Sequence, residues 1–215
     1  MVVEEVVFVD EDVRIPLDGS HLDARLTLPA RNSGVVVFAH GSGSGRHSPR
    51  NRHVADVLQR EHIGTALLDL LPEEERDGGE PELDVPVAAG RLAAVVDWLA
   101  DRAATRHHPI GLFGASTGAA VALVAAAERP AAVRAVVCRG GRPDLVEDAL
   151  TGVLAPTLLI VGERDDRVVE FNQRALRRLR CGGRLEVVPG AGHLFEEPGA
   201  LDHVARSAAR WFHRH

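Results

Sequence analysis

From residue 34 onward, short unbroken apolar runs alternate with longer segments of helical period, and this alternation most constrains the fold. The runs are VVVFA, TALLDLL, IGLFG, VRAVVC, PTLLIVG and RLEVV. A strand that shows no polar face is covered on both sides, which is how a parallel sheet between two helical layers appears in sequence. Between the runs, apolar residues recur at i, i+3, i+4 and i+7 over roughly 49–62, 87–104, 117–129, 166–180 and 197–213, which predicts helices there. The first thirty residues differ. VVEEVVFV, VRIPL and HLDARLTLP alternate around the turn signal Asp18-Gly19 and predict antiparallel strands. The expected fold class is α/β: a mostly parallel sheet of about eight strands with an N-terminal antiparallel hairpin and helices on both faces.

A chain of 215 residues can bury a full core, and its length fits one domain over 1–215. The one long irregular stretch, LPEEERDGGEPELDVP at 71–86, reads as a solvated loop, with a flap near a site as the alternative. The segment GGRPDLVEDALTGV, 140–153, leaves little room for an inserted cap domain, so an open pocket is expected. The net charge of -6 gives no electrostatic reason to expect nucleic acid or an acidic membrane as partner. The N-terminus alternates apolar and acidic residues, and no segment reaches the ~18 unbroken apolar residues of a membrane span. A soluble, cytoplasmic protein is expected. Cys138 and Cys181 are too few for a disulfide framework and lie in or beside apolar runs, so buried free thiols are expected.

The chemistry concentrates at GLFGASTGAAVAL, 111–123, where Ser116 falls between a strand and a small-residue helix. In a sharp strand-to-helix turn the positions two before and two after a nucleophile crowd the neighbouring elements, and Gly114 and Gly118 occupy them. Such a turn exposes the serine oxygen above the sheet edge and aims the first helical N–H groups at a bound group. The plain alternative is a helix N-cap serine. A nucleophilic serine needs a base, and the base an orienting acid. PTLLIVGERDDRVV places carboxylates just beyond one strand, and RLEVVPGAGHLFEEP places His193 in a Gly-rich loop beyond the next. Both positions lie at the C-terminal ends of strands, where α/β sheets carry their sites. Asp165 is the first choice of acid, with Asp166 and Glu163 as alternatives. The other histidines show no H-E-x-x-H spacing, so no metal site is expected.

The loop FAHGSGSGRHSPRN carries Gly41, Gly43 and Gly45 after a strand. It lacks the Lys-Ser/Thr of a P-loop, and Arg46 stands where G-x-G-x-x-G needs its third glycine, which argues against nucleotide binding. Half of an oxyanion hole is the better reading. The N–H of Thr117 would supply one donor and that of Ser42 the other. His40 is expected to shape the loop. Arg46, Arg50 and Arg52 read as solvated residues near a helix start, with attraction of a substrate carboxylate as the alternative.

GASTG, GERDDRV and GAGH in that order, with HGSGSG upstream, resemble the α/β-hydrolase fold, and the absence of a cap and the small size are similar to the dienelactone hydrolase-related group. The resemblance spans nearly the whole chain. It implies a triad of Ser116, Asp165 and His193, with Ser42 and Thr117 as oxyanion donors and no metal or organic cofactor. Dienelactone hydrolases proper carry cysteine at the elbow, and serine here makes a general small carboxylic ester or thioester the expected substrate. Acyl transfer or perhydrolysis by the same residues, a catalytically idle ligand-binding or interaction module, and a phosphate-binding enzyme are the competing readings.

Overall fold

In the computed structural model, residues 7–76 and 82–215 are described. The chain order is β1 (Val7–Leu17), β2 (Ser20–Pro29), β3 (Val35–Ala39), α1 (Pro49–Arg60), β4 (Gly64–Leu68), α2 (Glu73–Arg76), α3 (Val85–Asp101), β5 (Ile110–Ala115), α4 (Thr117–Glu128), β6 (Val133–Arg139), β7 (Thr157–Gly162), α5 (Asp166–Arg178), β8 (Arg184–Val188) and α6 (Ala200–Arg214). These strands form one eight-stranded sheet of order β1-β2-β4-β3-β5-β6-β7-β8. β1 pairs β2, and β2 pairs β4, antiparallel; every other pairing is parallel.

Two apolar layers explain the unbroken runs. Val35, Val37, Ile110 and Leu112 face a core shared with α3 and α4, whereas Val36, Phe38, Phe113 and Ala115 face one shared with α1 and α6. Alternate residues of a strand point to opposite faces, so burying both leaves no position for a polar residue. α4 carries buried residues around most of its circumference, which accounts for its alanine-rich, almost uncharged sequence.

The expected helices are present, with three local differences. The acidic stretch VFVDEDVRIPL forms one strand instead of two: Asp10 and Asp12 are bound by Arg25 across the β1/β2 pair, at 2.7 and 3.1 Å, so opposite charges replace apolar contacts on the open face. Residues 2–6 of the first expected strand lie outside the described residues. Within the expected 71–86 loop, Glu73–Arg76 form the short α2 and α3 begins at Val85, capped by the Asp84 side chain; residues 77–81 of that loop lie outside the described residues. The 140–153 segment forms two short 3-10 turns, Pro143–Val146 and Ala149–Gly152. Cys138 is fully buried, whereas Cys181 is only half-buried, and both are free thiols. Among the described residues no helix is long and apolar enough to cross a membrane.

Candidate active site

Ser116 closes β5 and opens α4 with φ 53° and ψ -123°, a conformation side chains other than glycine rarely adopt. Holding a residue there costs of order 1–3 kcal/mol, so the surroundings must over-determine it. The Ser116 N–H donates to the Arg139 carbonyl at the end of β6, and its own carbonyl accepts from Ala119 and Arg142. The flanking glycines complete the constraint. A Cβ on Gly114 would lie 2.5 Å from the Ala119 Cα, and one on Gly118 would lie 2.3 Å from the Ala39 carbonyl oxygen. Although Ser116 stands at the N-cap position of α4, its side chain makes no capping hydrogen bond, which removes the plain N-cap reading. Its hydroxyl is left to the cavity above it.

That cavity, of about 120 Å3, is walled by the 41–51 segment, Ala115, Ser116, Arg139, His193 and Leu194. His193 arrives on the loop after β8. A Cβ on Gly162 would lie 2.5 Å from the carbonyl oxygens of both Ala191 and Gly192, so a glycine at the end of β7 lets that loop lie against it. Glu197 accepts from the Gly192 N–H at 3.0 Å, and Glu163 accepts from the Gly190 N–H at 2.7 Å. His193 Nδ1 is 2.5 Å from Asp165 Oδ2, in the turn between β7 and α5. A carboxylate accepts, so Nδ1 carries the proton and Nε2 keeps its lone pair. The ring is 38% exposed and borders the cavity. Of the three candidate acids, the structure brings Asp165 to His193. Glu163 is committed to the loop backbone, and Asp166 lies in the first turn of α5. Among the described residues no hydrogen bond joins Ser116 Oγ to His193; catalytic hydrogen bonds of this kind tighten when substrate binds.

The glycine-rich loop is anchored from beneath. His40, 3% exposed, donates from Nδ1 to the Gly41 carbonyl and accepts at Nε2 from the Leu70 N–H, both at 2.9 Å. Both ring nitrogens are occupied, and burial pushes the imidazole below its usual range, so this histidine holds the loop in its neutral form. Asp69 binds the Arg46 N–H and guanidinium. A Cβ on Gly41 would come within 3.8 Å of Ser116 Oγ, which measures how closely the loop passes over the serine. The N–H groups of Ser42 and Thr117 have no acceptor among the described residues, and Ser42 borders the cavity.

Arg46 pairs with Asp69 and Asp23 and Arg52 contacts His47, whereas Arg50 lines the cavity. Arg139, which the sequence reading did not single out, lines it too. A wider hollow of about 560 Å3 lies against the hairpin, beside Asp23, Arg46 and Arg76, whose charges are paired with one another; none of Ser116, Asp165 and His193 borders it. Burial pushes the Cys138 thiol up to about 12, which leaves it inert.

An eight-stranded sheet with a strained serine after β5, an acid after β7 and a histidine after β8 defines the α/β-hydrolase class of proteins. The α/β-hydrolase domain family matches residues 32–209, and the chain belongs to it. It is 48% identical to dienelactone hydrolase from Anabaena variabilis, whose crystal structure superposes with a TM-score of 0.92 over 96% of this chain and 98% of that one. This likeness sets the chain in the dienelactone hydrolase-related group. Est1E from Butyrivibrio proteoclasticus shares the fold at 16% identity, with a TM-score of 0.81 over 94% of this chain and 98% of that one. A Mycobacterium tuberculosis protein provisionally named a phosphoribosyl transferase is 54% identical over 96% of the chain. The chain spans about half the length of that relative, 46%, so the name belongs to a protein with a further segment of its own.

Proposed function

We propose that this hydrolase-family chain is a serine hydrolase cleaving a small carboxylic ester or thioester through an acyl-enzyme. The observation that carries the reading is the 2.5 Å contact of His193 Nδ1 with Asp165, in a ring that borders the same cavity as the strained Ser116. Ser116 Oγ attacks the carbonyl carbon while His193 Nε2 takes its proton. Asp165 holds the ring in that tautomer and stabilises the imidazolium. The carbonyl oxygen, now carrying negative charge, accepts from the N–H groups of Ser42 and Thr117, a pair of fixed donors of which each is worth roughly 10²–10³ in rate. The imidazolium returns its proton to the leaving alcohol or thiol as the bond to it breaks. A water molecule then attacks the acyl-enzyme along the same route and releases the acid. Every step uses this chain's own groups, so neither a metal nor an organic cofactor enters. A small molecule is the partner that suits a cavity of about 120 Å3.

Intact-mass measurement after exposure to a small fluorophosphonate tests the reading without knowledge of the substrate. One adduct on the wild type and none on Ser116→Ala is expected. No adduct on either folded protein would favour an idle binding module. Product analysis with competing nucleophiles separates hydrolysis from acyl transfer or perhydrolysis.

A further inference from the structure

Arg139 ends β6 beside Ala115 on β5, and its backbone carbonyl holds the Ser116 N–H. The residue is 7% exposed, lines the Ser116 cavity, and its Nη1 is fully buried without a hydrogen-bond partner. No carboxylate among the described residues forms an ion pair with it. Two neighbouring arginines are answered by acids: Arg46 by Asp23 and Asp69, and Arg142 by Asp144. A second cation, Arg50, borders the same cavity, with Glu196 3.7 Å away on its outer side. α1 begins at Pro49, so the positive end of its helix dipole forms part of the wall, with Ser48, Arg50 and Asn51 around it. Buried charges are normally paired, because desolvation otherwise outweighs everything the charge gains. A buried, unpaired guanidinium beside a second arginine and a helix N-terminus is a site built for an anion that arrives from outside.

We infer that Arg139 and Arg50 form an anion subsite inside the Ser116 cavity, so that the substrate is an ester or thioester carrying a carboxylate or phosphate group close to its scissile carbonyl. The inference rests on the reading of Ser116 as nucleophile for the word ester, but the subsite itself does not. In the bound state the planar guanidinium of Arg139 donates two parallel N–H bonds to two oxygens of the anion, and Arg50 adds charge from the solvent side. The anion fixes the carbonyl against Ser116, so remote binding is converted into orientation.

Binding and turnover test it separately. Inorganic phosphate and succinate are titrated into the wild type, Ser116→Ala, Arg139→Met and Arg139→Lys, with affinity read by calorimetry. At least one anion should bind wild type and Ser116→Ala alike. Its Kd should weaken roughly 10- to 100-fold in Arg139→Met and by less in Arg139→Lys, which keeps a charge but loses the planar fork. Succinate alone identifies a carboxylate substituent, and phosphate alone a phosphate. Equal binding to all variants, or none to the wild type, overturns the subsite. In turnover, the kcat/KM ratio between mono-4-nitrophenyl succinate and 4-nitrophenyl acetate should favour the anionic ester in the wild type and fall towards one in Arg139→Met. Arg139-dependent anion binding with no ester turned over by any protein would keep the subsite and remove the hydrolase reading.

Discussion

Gly118, in the first turn of α4, lies so close to the end of β3 that a Cβ on it would sit 2.3 Å from the Ala39 carbonyl oxygen and 2.4 Å from that of His40. Both obstacles are backbone atoms, which cannot rotate away as a side chain end can. Gly118→Ala should therefore displace the start of α4 or the loop after β3, at a cost of about 3 kcal/mol, the upper end of the usual range for overpacking. Urea unfolding measures it. A variant within 0.5 kcal/mol of the wild type, as an order-of-magnitude threshold for a surface change, would mean that the helix can move away from β3.

Asp165 and Glu163 lie two residues apart yet do different work, one against the His193 ring and the other on the Gly190 N–H. Asp165→Asn removes the acceptor that fixes the tautomer and should lower kcat by roughly 10³–10⁴ with little loss of fold. Glu163→Gln should loosen the loop and lower the unfolding midpoint far more than it alters the rate. Steady-state kinetics and melting curves on both variants decide. Similar kinetics in Asp165→Asn and wild type would count against the triad.

How much of this was visible in the sequence follows from the range of each interaction. The strands of the parallel sheet were legible because two-sided burial writes an apolar run, and the Ser116 turn because its steric demand falls on Gly114 and Gly118, two residues away. Other features depend on distant partners. The acidic β1 is one strand because Arg25 binds Asp10 and Asp12 from the neighbouring strand, and α2 is too short to display a period. Which of the three acids meets His193 is decided by the path of the turn after β7. Arg139 directly follows an apolar run, and nothing in that local pattern singles it out. It is buried and shares a cavity with residues of α1 and of the His193 loop, a meeting of distant segments that no local pattern encodes.

His40 is buried and neutral, with its imidazole held below the usual 6.5 by desolvation. The unfolded chain therefore binds a proton more readily than the folded one. Stability should accordingly be full above about 6.5 and fall as pH drops below it towards the depressed folded value. Protonation of the folded state, which sets in only at the depressed value and below, also removes the lone pair that accepts the Leu70 N–H, so the loop over Ser116 should loosen at the acid end of this window. Denaturation midpoints for the wild type and His40→Asn, followed from neutral to mildly acidic pH, test this. The wild type should show the steeper fall. Parallel curves would assign the acid sensitivity to other groups.

Arg139 makes the opposite prediction about stability from the one its place in the cavity makes about binding. Burial, with Arg50 nearby, pulls its guanidinium down to about 10, so the folded state releases that proton more readily than the unfolded one. The penalty is fully present at neutral pH and is relieved as pH rises through about 10. Arg139→Met keeps most of the packing volume and removes the unpaired charge, so it should stabilise the ligand-free protein by about 1–3 kcal/mol at neutral pH. The gap to the wild type should narrow only as pH rises through and beyond about 10. Urea midpoints at both pH values would measure it. A less stable Arg139→Met would mean that the guanidinium holds the cavity walls together through contacts of its own. A more stable one would identify the charge as strain retained for a ligand, since no carboxylate among the described residues compensates for it.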